Sequence, residues 1–326
     1  MKINRIILLV VGVLALTACD EDAQFDKELY KKVICILSDA DQSFSVYHDL
    51  GQPETTGYIS ILYGGTKHIE KDVVVELERD EELLSRYNKL NFDIDSAKFV
   101  RELAPDHYTI ESLSTVLRVD KEDPYNTIPV RVRPEGLSPD SVYAIPLRIK
   151  SVSDYEINSQ KNSILYRVVL KNDYALQSPT TYYRVRGTDI LFKENGEEDK
   201  RSTFSLSRVV APLTKNSIRC FVGMNTYEVA SLTQDAVRKY GMSISVNEDN
   251  TIALEALGTA QIELIEDTES NYMYNYSTNL YSVKLFELHY RYRLLKDGAD
   301  GNNGDTDYGV WHEMRESMSY TESVIP

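Results

Sequence analysis

From residue 32 onward the chain alternates apolar and polar positions in short runs. In TIPVRVR, residues 127–133, Ile128, Val130 and Val132 fall on one face, with Pro129 and Arg131 on the other. In SILYRVVL, residues 163–170, the same period groups Ile164, Tyr166, Val168 and Leu170. Further runs (KVICIL, SFSVYH, GYISILYG, KDVVVELE, STVLRV, VYAIPLRI) are separated by turn formers such as PEGLSPDS. Period two over many short segments predicts strands of an antiparallel sandwich. Pro129 and Pro146 lie inside such runs and predict edges or bulges, because proline donates no ladder bond. Residues 79–88, RDEELLSRYN, break the alternation. Leu83, Leu84 and Tyr87 recur there at helical spacing, which predicts a short crossover helix.

NDYALQSPTT, residues 172–181, follows a strong strand with turn formers and Pro179, so it reads as a boundary. Strand-like runs then resume: TYYRVRG, DILFK, STFSLSRVV, SIRCFV, SISVN, TIALEA, AQIELI, MYNYS and YSVKLFELHYRYRLL. ENGEED and NEDN read as turns, the second linking two short strands as a hairpin. Residues 231–240, SLTQDAVRKY, predict one short helix closed by Gly241 as a left-handed cap.

Everything before this pattern is of another kind. Lys2 and Arg5 precede an apolar stretch of 13 residues, 6–18, too short for a membrane span of about 20 residues. A basic start, a short apolar core and small residues at its end predict a cleaved secretory signal, residues 1–18. Leu16-Thr17-Ala18-Cys19 resembles the bacterial lipoprotein lipobox, which implies acylation of Cys19. Each buried CH₂ of such a chain adds roughly 0.8 kcal/mol of anchoring. Asp20, Glu21 and Asp22 follow directly. An acidic cluster there resembles the surface-export signal of Bacteroidetes lipoproteins, and implies an outer-membrane protein facing the cell exterior.

The chain has 326 residues and a net charge of −15, from 36 basic and 51 acidic side chains. Losing Lys2 and Arg5 makes the mature chain more acidic still. Such a surface repels phosphate backbones, so nucleic acid is not an expected partner. Of three cysteines, Cys19 is assigned to lipid. Cys35 and Cys220 read as small buried residues in different domains rather than a disulfide. Tyrosine is abundant, at 23 residues against eight Phe and one Trp. Tyr272, Tyr274 and Tyr276 would share one strand face about 6–7 Å apart. With Trp311 they form the candidate platform for stacking successive sugars, against the alternative of a tyrosine-rich face packed on a neighbouring strand.

Catalytic signals are absent. His312-Glu313-Met314-Arg315-Glu316 lacks the second histidine of H-E-x-x-H. His48, His68, His107 and His289 are scattered and read as strand or surface residues. No motif announces the paired carboxylates of a glycosidase. The segment KDGADGNNGDTD, residues 296–307, offers Asp297, Asp300, Asp305 and Asp307 as calcium ligands. Its spacing departs from the calcium-loop pattern: counted from Asp305, Glu316 falls at position twelve, but Val310 stands where glycine is required. A glycine-rich hairpin loop explains the composition more simply, and no cofactor is expected apart from this calcium candidate.

Arg79-Asp80, Tyr87-Asn88, Leu103-Ala104-Pro105 with Tyr108, and YAIPLRI at 143–149 carry a family resemblance. The first half resembles the Ig-like domain that precedes the catalytic domain in some family-18 endoglycosidases. FELHYRY, residues 286–292, before a glycine-rich loop resembles the C-terminal domain of the associated non-catalytic lipoproteins of polysaccharide-utilisation loci. The family-18 signature D-x-x-D-x-D-x-E is missing. The resemblance thus implies a glycan-binding accessory role rather than hydrolysis. The expected fold is mainly β: residues 31–172 an Ig-like β-sandwich, 173–181 a linker, and 182–326 a second antiparallel β domain, barrel- or sandwich-like, with one short helix. Residues 19–30 form a lipidated acidic tether. The expected function is oligosaccharide or polysaccharide capture beside an outer-membrane uptake complex. The alternative is a structural, adhesive or transporter-associated surface lipoprotein without glycan binding.

Overall fold

The computed structural model describes residues 30–266, 270–296 and 307–323. The signal segment, Cys19, the tether up to residue 29, and the calcium candidates Asp297, Asp300 and Asp305 lie outside the described residues. Among the described residues no helix is long and apolar enough to cross a membrane.

Eleven strands build a two-sheet sandwich. They are β1 (Val33–Ile36), β2 (Ser43–Asp49), β3 (Thr55–Gly64), β4 (Val73–Arg79), β5 (Arg101–Glu102), β6 (Tyr108–Thr109), β7 (Ser114–Leu117), β8 (Tyr125–Val132), β9 (Tyr143–Val152), β10 (Glu156–Ile157) and β11 (Ser163–Lys171). One sheet runs β10-β1-β3-β8-β6. The other runs β2-β11-β9-β4-β7, with β5 beside β9. The period-two faces meet between the sheets: Ile59, Ile61, Ile128, Val130 and Val132 share one buried cluster with Val73, Val75, Ile164, Tyr166 and Val168. Each such side chain contributes roughly 1.5–3 kcal/mol on burial. The sandwich is not wholly antiparallel, as the alternation had predicted. β1–β10, β2–β11 and β5–β9 pair in parallel. The opening run divides between the sheets at a corner where Gln42 adopts φ 63°, so its two halves lie beside late strands running the same way.

The two strand prolines sit where no ladder bond is lost. Pro129 is opposite Tyr58, and β6 reaches β8 only at residues 131 and 132, so one side of Pro129 is an edge. Pro146 is in a central strand, contrary to the edge-or-bulge expectation. It falls between the end of β4, at Leu147, and the start of β5 pairing, at Ala144, and its carbonyl accepts from Asp80 N at 3.1 Å. Helix α1 (Leu83–Phe92) begins four residues later than predicted. Arg79 still pairs with Leu147 in the sheet, and Asp80 Oδ1 accepts from Leu83 N at 3.1 Å to start the helix.

Nine strands form the second domain: β12 (Thr181–Phe192), β13 (Glu198–Pro212), β14 (Ser217–Phe221), β15 (Gly241–Val246), β16 (Ile252–Ala256), β17 (Gln261–Leu264), β18 (Tyr272–Ser277), β19 (Tyr281–Arg293) and β20 (His312–Ser323). All pairings are antiparallel, in the order β16-β15-β14-β13-β12-β20-β19, with β17 and β18 end to end along the outer edge of β19. The sheet curls until its ends touch. Ile252 N donates to Asn271 O and Met273 N to Asn250 O, both at 2.9 Å. The domain is therefore a nearly closed barrel. Helix α2 (Gln234–Tyr240) is capped by Thr233, whose hydroxyl accepts from Ala236 N at 3.1 Å. Gly241 is not the predicted left-handed cap: its φ is −66° and it opens β15 directly. Glycine is needed there for space, because a Cβ would run into Val237 O. Cys220 is buried in the barrel and Cys35 half-buried in the sandwich, both as free thiols.

The segment after β11 is packed rather than loose. Asn172 Nδ2 donates to Thr214 O (2.7 Å) and Ser217 O (2.8 Å) of the barrel. Gln177 Nε2 donates back to Pro139 O and Ser141 O of the sandwich, both at 2.9 Å. A buried ion pair, Arg219–Asp140, crosses the same joint.

Candidate functional site

Strand alternation decides what each residue of β18 faces. Met273 points inward and is buried, so Tyr272, Tyr274 and Tyr276 all point outward. Their rings form a ladder. Centroids are 6.4 Å apart between Tyr272 and Tyr274, and 6.3 Å apart between Tyr274 and Tyr276, the second pair nearly parallel at 18°. Tyr274 is 38% exposed and Tyr276 is 52% exposed, while Tyr272 is half-buried. Their cross-strand partners on β19 are Glu287, Leu285 and Val283. The ladder is thus an open aromatic edge with an apolar strip beside it.

Trp311 shares the outer face but not the ladder. Its carbonyl accepts from Phe192 N at 3.0 Å, which continues the register of β20 beyond His312. The Trp311 ring rests on Arg291 and Arg293, each guanidinium carbon 4.6 Å from its centroid. Tyr272 is opposite Glu287. Four to six residues of β19 separate the two groups, roughly 13–20 Å. The four predicted platform residues therefore form two clusters. Trp311 belongs to a cleft of about 780 Å³ bordered by Glu263, Arg291, Arg293, Tyr308 and Glu313. Most of its charges are paired: Arg291 with Glu263, and Lys296 with Asp307 at 2.8 Å. Asp307, the one calcium candidate among the described residues, is occupied by that lysine.

Across the outer face from the ladder stand two residues that the sequence reading passed over, Arg184 and Arg186 on β12. Both are exposed. The run TYYRVRG carried the signal, since period two puts both arginines on the side away from Tyr183 and Val185. Those two are buried in the barrel.

The barrel interior holds the strongest electrostatics. Arg208 and Glu316 form a bidentate pair at 2.6 and 2.8 Å, with side chains 1% and 0% exposed. Arg208 also donates to Gly223 O, and Tyr290 OH donates to Glu316 Oε1 at 3.2 Å. Burial raises the Tyr290 phenol well above its ordinary range and pushes the Cys220 thiol up to about 11. Glu316 is thus committed to a core ion pair and unavailable to a calcium loop. Gly187 lets β20 approach, since a Cβ there would strike Arg315 O and Glu316. The H-E-x-x look-alike is divided by alternation. His312 Nδ1 turns to Asp189 at 3.0 Å, and Glu313 turns outward to His289 Nε2 at 3.0 Å. Among the described residues no three metal-ligating side chains cluster.

The motif residues of the sandwich are structural. Asp80 caps α1 and accepts from Ser163 Oγ at 3.1 Å. The Asn88 side chain clamps both backbone groups of Val100 at 2.9 Å each. Of the scattered histidines, His48 is a strand residue of β2 and wholly buried. Its ring nitrogens meet Thr55 Oγ1 (2.7 Å) and Tyr166 OH (3.1 Å).

A β-sandwich joined to a nearly closed β-barrel defines the class of protein. One family model, described as an N-terminal domain, matches residues 25–156, and another, described as C-terminal, matches residues 162–319. The two matches together span about nine-tenths of the chain, which carries the N-terminal domain of the one family and the C-terminal domain of the other. The models divide one strand earlier than the sheets, for β11 pairs within the sandwich. Solved structures of the same build come from Bacteroides. A Bacteroides ovatus protein of unknown function is 16% identical with a TM-score of 0.62, covering 90% of this chain and 97% of its own. A B. ovatus multidomain protein including DUF1735 is 14% identical with a TM-score of 0.60, covering 89% and 95%. An auxiliary nutrient binding protein from Bacteroides thetaiotaomicron is 10% identical with a TM-score of 0.61, covering 88% and 93%. No curated protein matches the sequence.

Proposed function

We propose that this chain is a non-catalytic glycan-binding protein, anchored through lipid on Cys19 to the outer membrane and facing the exterior, where it holds oligosaccharide for uptake. The observation that carries the reading is the ladder of Tyr272, Tyr274 and Tyr276, with two rings exposed and centroids 6.3–6.4 Å apart. A tyrosine ring presents an apolar face to the C–H face of a pyranose and a hydroxyl to its rim. Rings repeated along an exposed strand offer such a face to consecutive sugars. The nutrient-binding description of one structural neighbour accords with this role.

Native gels laced with a panel of polysaccharides test it, run on the mature chain. Retardation by at least one glycan is expected, with at least tenfold weaker binding after Tyr274→Ala/Tyr276→Ala. Unaltered mobility across the panel, or full retardation of the double variant, would defeat the reading. Labelling the acyl chain on Cys19, and its loss in Cys19→Ala, checks the anchor.

A further inference from the structure

Register places Arg184 between Ser207 and Ser319, and Arg186 between Ser205 and Ser317. The flanking positions on both neighbouring strands are therefore hydroxyls, not acids. Neither guanidinium has an ion pair or hydrogen bond among the described residues. That is unusual on a chain with 51 acids and 36 bases. Most arginines elsewhere on the barrel have a carboxylate: Arg201 has Glu198, Arg208 has Glu316, Arg219 has Asp140 and Arg291 has Glu263.

The same registers tie the arginines to the ladder. Tyr274 lies in one cross-strand row with Leu285, Ser319 and Arg184. Tyr272 lies in the next row with Glu287, Ser317 and Arg186. Three strand spacings separate ladder from arginines, roughly 14 Å. Glu287 occupies the second row and accepts the Ser317 hydroxyl at 2.7 Å, whereas the first row contains no acid. Arg184 is therefore the better-placed cation, with Arg186 one alternate position away, roughly 7 Å along β12.

The geometry points to an anionic oligosaccharide as the ligand of this face, lying across the strands with its rings on Tyr274 and Tyr276 and its acid group on Arg184 and Arg186. The assignment rests on the glycan-binding reading and sharpens it to a substrate class. A guanidinium fork matches a planar carboxylate or a sulfate ester in two parallel hydrogen bonds. The hydroxyls of Ser205, Ser207 and Ser319 can donate to the remaining anion oxygens, while Ser317 is held by Glu287. Uronic acid and sulfated sugars share this chemistry, so both are tested.

The mature chain is run on three probes: a neutral polysaccharide, a uronate-rich one and a sulfated one, at low and raised salt. Binding to one or both anionic probes is expected to exceed binding to the neutral probe and to weaken with salt. Which anionic probe is retained distinguishes carboxylate from sulfate. Arg184→Gln/Arg186→Gln is expected to lose about tenfold or more on the anionic probe, with unchanged thermal unfolding. Tyr274→Ala/Tyr276→Ala is expected to weaken every glycan that binds. Preference for the neutral probe, or wild-type affinity of the arginine double variant, overturns the inference and leaves the glycan reading standing. Failure to bind any probe overturns both.

Discussion

The sandwich and the barrel are both made of period-two strands, yet they bury polar groups by opposite means. In the sandwich the most deeply buried polar side chain is His48, neutral and held between two hydroxyls in an apolar core. In the barrel it is a full ion pair, Arg208–Glu316, with a tyrosine attached. A desolvated imidazole keeps its place by shedding its proton. A guanidinium cannot shed one, so its burial requires a carboxylate of matching shape. The barrel therefore depends on a contact between residues 108 positions apart, while the sandwich depends on pH.

The largest test of that difference removes one partner. Arg208→Met leaves Glu316 buried with Tyr290, and breaking such a pair costs about 3–5 kcal/mol. Urea unfolding should show that loss, and Arg208→Met/Glu316→Leu should recover most of it. A cost below about 1 kcal/mol would mean that the pair does not hold the barrel.

The second effect belongs to the sandwich. Burial pushes His48 down to about 4, from an ordinary 6.5. Above pH 6.5 His48 is neutral whether the chain is folded or not. As pH falls from 6.5 towards 4, the unfolded imidazole takes a proton that the folded one refuses. Stability therefore falls with acid through that window, by about 3 kcal/mol in total. Urea midpoints measured from pH 7 to pH 4 should show the slope, and His48→Gln should remove that part of it. The smallest effect on stability is expected at the exposed ladder, where Tyr274→Ala should cost under about 1 kcal/mol while weakening retention by glycan.

How much of this was legible follows from range. The strand faces of β8 and β11 were readable because alternation is local, and so was the ladder, whose ring spacing follows from strand rise alone. The fate of Glu316 was not. Nothing near it in sequence reveals Arg208, and counting from Asp305 made it look like part of a calcium loop. The start of α1 is hidden because Arg79 and Asp80 look helix-compatible, while the sheet claims the first and the cap claims the second. Residue type groups Trp311 with the tyrosines, though several strand residues keep them apart. Arg184 and Arg186 were visible as alternating charges, but their lack of acidic neighbours depends on strands β13 and β20. Barrel closure likewise needs Asn250 and Asn271 to meet, both at φ near 65°.

That closure gives the ladder a second meaning. β18 is also the strand at the seam, joined to the β16 side through the amides of Ile252 and Met273. Tyr272 bridges to Thr251 across that seam, so a ligand that binds the ladder only with Tyr272 in this place links occupancy to closure. At a free ligand concentration a hundredfold above Kd, the closed form gains about 2.7 kcal/mol. The amide protons of Ile252 and Met273 would then exchange with solvent about a hundredfold more slowly. Two backbone protons on the inner seam would thus report whether sugar is present on the outer face.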